Sequence, residues 1–203
     1  MTVKKWYLIR HGETDFNKKR FFYGKADVSI NETGKEQAAL LHQLMKGKSI
    51  SRVYTSQLKR TQETAAIIFP DQNPTAYKAL NERDFGLWEG RTANEIQAAF
   101  PLVWEEWLES PFEVTPSKAE PFEKFKERVW SIVQEIREKA DPEIVIVGHL
   151  GVLRLIYQFL VNMEADFWSI DIPQGTALLL EDNDPWEERL IKQEDDLNQS
   201  QDK

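Results

Sequence analysis

Arg10 and His11 stand side by side in the run Leu8-Ile9-Arg10-His11-Gly12-Glu13-Thr14. A guanidinium next to an imidazole suits attack on an anion, because the cation holds the charge while a neutral ring nitrogen offers its lone pair; phosphate is the leading candidate. A second histidine, His149, follows the apolar run Glu143-Ile144-Val145-Ile146-Val147-Gly148. Arg60 comes just after Arg52-Val53-Tyr54-Thr55-Ser56, in Leu58-Lys59-Arg60-Thr61-Gln62. There the first turn of a helix would add its own attraction for an anion.

These groups can meet only if each leaves the carboxyl end of a strand, where open α/β sheets bind their ligands. Residues 6–9 read as one strand with Gly12 as its turn, 52–56 as a second, and 143–147 as a third. The third is near-continuous in apolar residues, the pattern of a strand covered on both faces. Residues 33–45 form an amphipathic helix with Ala38, Leu41 and Met45 on one face and Gly47 as its stop. Thr92-Ala93-Asn94-Glu95 has capping-box spacing and opens a helix ending before Pro101; residues 102–108 form another, carrying Trp104 and Trp107. Phe122, Phe125, Val129, Ile132 and Ile136 mark a long helix to about Lys139, and residues 150–160 a further one. Strands at 176–180 and 186–191 close the chain as a hairpin around Asp182-Asn183-Asp184-Pro185.

The expected fold is therefore α/β, a mainly parallel sheet with helices on both faces. Residues 1–193 read as one domain with a small helical cap inserted at about 90–121. Residues 194–203 read as a disordered acidic tail. Trp104 and Trp107 are expected to pin the cap to the core, the usual work of buried aromatics, with a ligand-facing role as the alternative. His42, on a polar stretch of its helix, is expected to face solvent.

Composition narrows the chemistry. The 203 residues contain no cysteine, which excludes a disulfide framework, a thiolate zinc site and a cysteine nucleophile. A net charge of −8 argues against nucleic acid, whose binding depends on Lys and Arg neutralising phosphates. A small phosphorylated metabolite held by a few pocket arginines fits better. At 41% hydrophobic residues one sizeable core can be buried, but no stretch is long enough to span a bilayer. Lys4 and Lys5 precede only a strand-length run, so no leader is read and the cytoplasm is the expected compartment. No acidic cluster has the spacing of a magnesium site, so no metal or cofactor is expected. A homodimer is left open.

The chain resembles the histidine phosphatase superfamily, also called phosphoglycerate-mutase-like. Four motifs in order carry the resemblance: Arg10-His11-Gly12-Glu13-Thr14 with Asn17 six residues after His11, residues 56–65 with Arg60, Leu80-Asn81-Glu82-Arg83-Asp84-Phe85-Gly86-Leu87-Trp88-Glu89-Gly90, and Val147-Gly148-His149. The resemblance implies that His11 forms a phosphohistidine while Arg10 and Arg60 hold the non-bridging oxygens. It makes His149 and Asn17 further hydrogen-bond donors and Glu82 the acid for the leaving alkoxide and then the base for water. Glu13 and Glu89 are competing carboxylates, with Asp84 a weaker one. Gly24 and Leu150 join Arg10, Asn17, Arg60 and His149 as expected substrate-binding residues.

Two departures bear on substrate shape. Leu150 stands where the family often has Gly, and Ala119-Glu120-Pro121 replaces a frequent Gly-Glu-Ser. Within the superfamily Phe22-Tyr23-Gly24, Asp27-Val28 and residues 84–90 are most similar to the α-ribazole-5'-phosphate phosphatases of cobalamin nucleotide-loop assembly. A broad-specificity sugar or nucleotide phosphatase is the nearest alternative, then a phosphoglycerate mutase, then a non-catalytic phospholigand-binding module.

Overall fold

The computed structural model describes residues 4–139 and 141–193. In chain order the elements are β1 (Lys5–Arg10), α1 (Asp15–Lys18), α2 (Glu32–Leu44), β2 (Arg52–Ser56), α3 (Lys59–Ile68) and β3 (Thr75–Tyr77). Two 3₁₀ turns follow, Lys78–Leu80 and Gly86–Trp88, then α4 (Ala93–Ala99), α5 (Pro101–Glu109), α6 (Phe122–Glu138), β4 (Glu143–Gly148), α7 (Leu150–Leu160), β5 (Ala177–Glu181) and β6 (Glu187–Ile191).

Ile144, Val145, Ile146 and Val147 have no polar face to turn to water, and all four are buried. Their strand accordingly sits inside a six-stranded sheet of order β3-β2-β4-β1-β5-β6. β1, β4, β2 and β3 run parallel to one another, and each parallel step requires a crossover through helix. β5 is antiparallel to both β1 and β6. The fold is thus the mainly parallel α/β arrangement expected from the sequence.

Alternation along β1 divides the core. Trp6 and Leu8 join α6 and α7 on one face, through Phe125, Val129, Ile132 and Leu153 among others. Tyr7 and Ile9 point the other way, onto Ala38 and Leu41 of α2 and Ala65 and Ile68 of α3. Each aliphatic side chain so buried contributes roughly 1.5–3 kcal/mol.

α4 and α5 contribute no strand and gather around a separate aromatic cluster. Trp88, Ile96, Trp104 and Trp107 are buried there together, with Phe22, Phe85 and Val103 against them. Thr92 Oγ1 accepts from Glu95 N while the Glu95 carboxylate accepts from Thr92 N, a reciprocal cap worth about 1 kcal/mol. Pro101 opens α5, where its missing N–H costs nothing.

Three features were not legible from periodicity. β3 and α1 are only three and four residues long, too short to show a repeat. His42 faces solvent only in part: its Nδ1 donates 2.8 Å to the carbonyl of Ile68 and the residue is half-buried, tying α2 to the end of α3. The tail at 194–203 lies outside the described residues.

Candidate active site

Arg10 pairs with Gly148 across β1 and β4, so the residues that follow, His11 and His149, emerge as neighbours at the carboxyl edge of the sheet. Their rings meet edge to face with centroids 5.2 Å apart. Both are buried. Ser56 ends β2 on the far side of β4, and its Oγ lies 2.9 Å from His149 Nε2.

Hydrogen bonds fix the His11 tautomer. Its Nδ1 is 2.8 Å from the Gly12 carbonyl, and a carbonyl can only accept, so Nδ1 carries the proton and Nε2 keeps its lone pair. Burial, reinforced by the charge of Arg60, pulls the His11 pKa down to about 3; the Gly12 bond opposes the shift and Arg10 adds to it. The imidazole is therefore neutral at pH 7, the state a nucleophile requires.

Arg60 is fully buried. Its Nη1 donates 2.7 Å to the Ala26 carbonyl, Nη2 2.7 Å to the Gly24 carbonyl, and Nε 3.2 Å to His149 Nδ1. Tyr23 lies beneath the guanidinium at 4.7 Å. Arg10 Nε is buried without a partner among the described residues. Neither arginine forms an ion pair with a carboxylate among those residues. A buried cation without a counter-charge, as Arg60 is, is expensive by several kcal/mol, and Arg10 beside it is half-buried. An anion between them would remove that cost.

The carboxylates separate by what they hold. Glu89 accepts from the backbone N–H groups of Gly24, Lys25, Phe85 and Ala26. It therefore builds the loop whose carbonyls anchor Arg60, and is fully occupied there. Asp84 pairs with Lys25 and accepts from Gly86 N, and Glu13 accepts from Asn31. Among the described residues the Glu82 carboxylate accepts from Arg83 N at 2.9 Å and from Gly151 N at 3.0 Å, at the first turn of α7. Glu82 also lines two adjoining cavities, which places it to exchange protons with something bound there.

Other expected residues lie in the same region and are engaged with neighbours in the protein. In His149, Nδ1 accepts from Arg60 and Nε2–H donates to Ser56, so the neutral ring has no N–H left for a ligand and instead orients Arg60. Asn17 closes the capping box of α1, its Oδ1 accepting from Thr14 N, Tyr23 Oη and Gln174 Nε2. Only its amide nitrogen remains to donate. The Gly24 N–H is committed to Glu89 and its carbonyl to Arg60. A Cβ there would run into the Arg83 carbonyl, so Gly24 serves close backbone approach. Leu150 lines a cavity beside Glu82.

Comparison with known proteins gives the family. The family model of the histidine phosphatase superfamily (branch 1) matches residues 6–191. The chain belongs to the histidine phosphatase superfamily. It is 34% identical over 173 residues to the adenosylcobalamin/alpha-ribazole phosphatase of Escherichia coli K12, covering 83% of this chain and 85% of that protein. Phosphoserine phosphatase 1 of Hydrogenobacter thermophilus is 31% identical, with 81% and 80% covered. The crystal structure of the alpha-ribazole phosphatase from Shigella flexneri superposes with a TM-score of 0.86 at 30% identity, covering 93% and 96%. The protein is a phosphatase with the phosphoglycerate-mutase-like fold.

Four contributors to this phosphatase's site lie outside the expected set. Ser56 was signalled, since it ends β2 as His149 follows β4. Gly151 was not: a Cβ there would meet Glu82 Oε1 at 2.6 Å, so the missing side chain leaves room for the carboxylate. Gln174, which donates to the His11 carbonyl, sits in an irregular segment with no periodic signal. Arg128 on α6 chelates Glu120 and donates to the carbonyls of Ala79, Asn81 and Glu82, fixing the segment that presents Glu82. Among the described residues, no group of three or more His, Cys, Asp or Glu side chains could hold a metal ion, and no helix is long and apolar enough to cross a membrane.

Proposed function

We propose that the protein hydrolyses phosphomonoesters through a phosphohistidine on His11, and that its substrate is α-ribazole 5'-phosphate. The observation that carries the mechanism is the Nε2 lone pair of a neutral His11 beside two guanidiniums that have no carboxylate partner among the described residues.

The Nε2 lone pair attacks phosphorus in line with the ester oxygen; a P–N bond forms as the P–O bond to the alcohol breaks. The imidazolium charge that develops is stabilised by the Nδ1–H bond to Gly12. Arg10, the two N–H groups of Arg60 not used by Gly24, Ala26 and His149, and the Asn17 amide take the non-bridging oxygens. Glu82 gives its proton to the departing alkoxide, then accepts one from the water that attacks phosphorus and breaks the P–N bond. Inorganic phosphate leaves and His11 returns to its neutral state. His149 holds Arg60; its own donation to phosphate requires a proton on Nδ1 and release of that arginine.

The substrate assignment draws on the relatives named alpha-ribazole phosphatase. Phosphoserine is the second reading, favoured by the Hydrogenobacter relative. Residues 90–121 serve as a cap over the site, and the enzyme works on a small metabolite in the cytoplasm. Initial rates of phosphate release from α-ribazole phosphate, phosphoserine, 3-phosphoglycerate and p-nitrophenyl phosphate, with chelator present, test both readings. A hundredfold preference for α-ribazole phosphate, about 2.7 kcal/mol of transition-state discrimination, is expected. Comparable rates across the panel would make it a broad-specificity phosphatase, and a preference for phosphoserine would select the second reading.

A further inference from the structure

Beside Glu82, on the side of α5, lies a cavity of about 170 Å³ whose wall is mostly aromatic, with Phe85, Trp107, Phe112, Phe122, Phe167 and Trp168 beside the charged Arg83 and Arg154. An apolar cavity of about 150 Å³ suffices for one benzene ring. Phe112 and Trp168 are stacked at the rim with centroids 5.7 Å apart and planes within 13°, and both remain solvent-exposed. Large aromatics left exposed beside a preformed apolar hollow mark a ligand site more often than a structural one.

Two donors in the same wall lack partners. Arg83 Nη2 and Trp107 Nε1 are buried with no acceptor among the described residues, and the two side chains are only 6% and 9% exposed. A buried unsatisfied donor costs about 1–3 kcal/mol, so a ligand acceptor would relieve both. The rest of the Arg83 guanidinium is engaged: Nε donates 2.9 Å to the Glu120 carbonyl and Nη1 is 3.4 Å from that of Pro111. These two bonds fix the side chain in the wall and leave the Nη2 N–H groups to a ligand. Arg154, stacked over Phe167 and Trp168 at 5.2 and 5.4 Å, has Nε committed to the Ile170 carbonyl. The wall thus offers aromatic faces and single N–H groups.

We infer that this cavity is the leaving-group subsite, that it takes a planar aromatic ring carried by the alcohol, and that Arg83 Nη2 and Trp107 Nε1 donate to a neutral acceptor on that ring. The inference rests on the phosphomonoesterase reading, because Glu82 is shared between this wall and the leaving oxygen. It adds which part of the substrate the protein recognises and which residues do so. A small carboxylate-bearing alcohol would leave the ring faces empty.

The test uses the full chain with four simple esters: ethyl phosphate, benzyl phosphate, pyridylmethyl phosphate and phosphoserine. The wild type is expected to show kcat/KM at least tenfold higher for benzyl than for ethyl phosphate, and higher again for pyridylmethyl phosphate. In Trp168→Ala, a change at an exposed rim position, the benzyl-to-ethyl ratio should fall at least fivefold. In Trp107→Phe, which keeps a ring and removes the donor, the pyridylmethyl-to-benzyl ratio should fall while the benzyl-to-ethyl ratio holds. Ratios unmoved by either variant, or a wild-type preference for phosphoserine, would overturn the subsite while leaving the phosphatase mechanism standing. Absence of phosphate release from every ester would instead overturn the mechanism, and the subsite with it.

Discussion

The floor of the site and the wall beside it are built on opposite plans. On the floor, at the carboxyl ends of β1, β4 and β2, most polar atoms are tied to a neighbour: His11 to Gly12, Arg60 to Gly24, Ala26 and His149, and His149 to Ser56. The wall around Trp107, Phe112 and Trp168 is held by ring contacts, with two donors left over. The floor must present one arrangement of charge to a group that every substrate shares, and preorganised dipoles do that without reorganising during reaction. The wall meets the part that differs between substrates. Dispersion contacts tolerate variation there, and single hydrogen bonds discriminate.

The sharpest break in that contrast is His11→Ala. We expect kcat to fall by at least about 10³-fold for every ester, with fold retained by circular dichroism and phosphate still bound in calorimetry. Turnover within tenfold of wild type would remove the phosphohistidine. Arg60→Lys should rank next. A single ammonium cannot reach the Gly24 and Ala26 carbonyls, His149 and a phosphoryl oxygen together, and loss of such a donor typically costs 10²–10³-fold in kcat. That loss should be uniform across leaving groups, as the floor's role requires. Selectivity between esters that changes in Arg60→Lys would show that floor and wall are coupled.

The same division explains what could be foreseen from the residues. Arg10, His11, Arg60 and His149 sit in motifs at strand ends, and strands with long apolar runs such as 143–147 declare themselves by composition. The sheet, its helices and the grouping of these side chains at one edge were therefore legible. Glu82 was legible as a motif match, but its partner Gly151 and its support from Arg128 depend on chain segments that meet only in the fold. The wall draws its rings from positions 85, 107, 112, 122, 167 and 168, which share no period. Trp107 was expected to be structural, and it does pack with Trp88 and Trp104; its orphaned Nε1 is visible only once the surrounding acceptors are placed.

Gly151→Ala probes the seam between the two regions. A methyl group there would meet Glu82 Oε1 at 2.6 Å, forcing the carboxylate off the N-terminus of α7. Rates on ethyl phosphate, whose alkoxide needs a proton to leave, should drop by about 10–10²-fold. The kcat/KM for p-nitrophenyl phosphate, whose phenolate leaves unprotonated and which excludes the later attack of water, should drop by less than about threefold. Glu82→Gln should show the same split, and equal losses on both esters would assign Glu82 a structural role.

The smallest effect, and the one that isolates the floor from catalysis altogether, is on stability. Folded His11 stays neutral until about pH 3, whereas in the unfolded chain it takes a proton near pH 6.5. Between those values the unfolded state binds more protons, so stability rises with pH through the window and the contribution is complete above about 6.5. His149, held well below its ordinary range by burial and by Arg60, acts in the same direction. Denaturant midpoints measured from pH 7.5 down to 4 should therefore decline below about 6.5 in the wild type and decline less steeply in His11→Gln. Trp168→Ala, in the wall, should keep the wild-type slope. A wall variant that flattened the pH dependence as much as the His11 variant would mean that the two regions unfold, and titrate, as one.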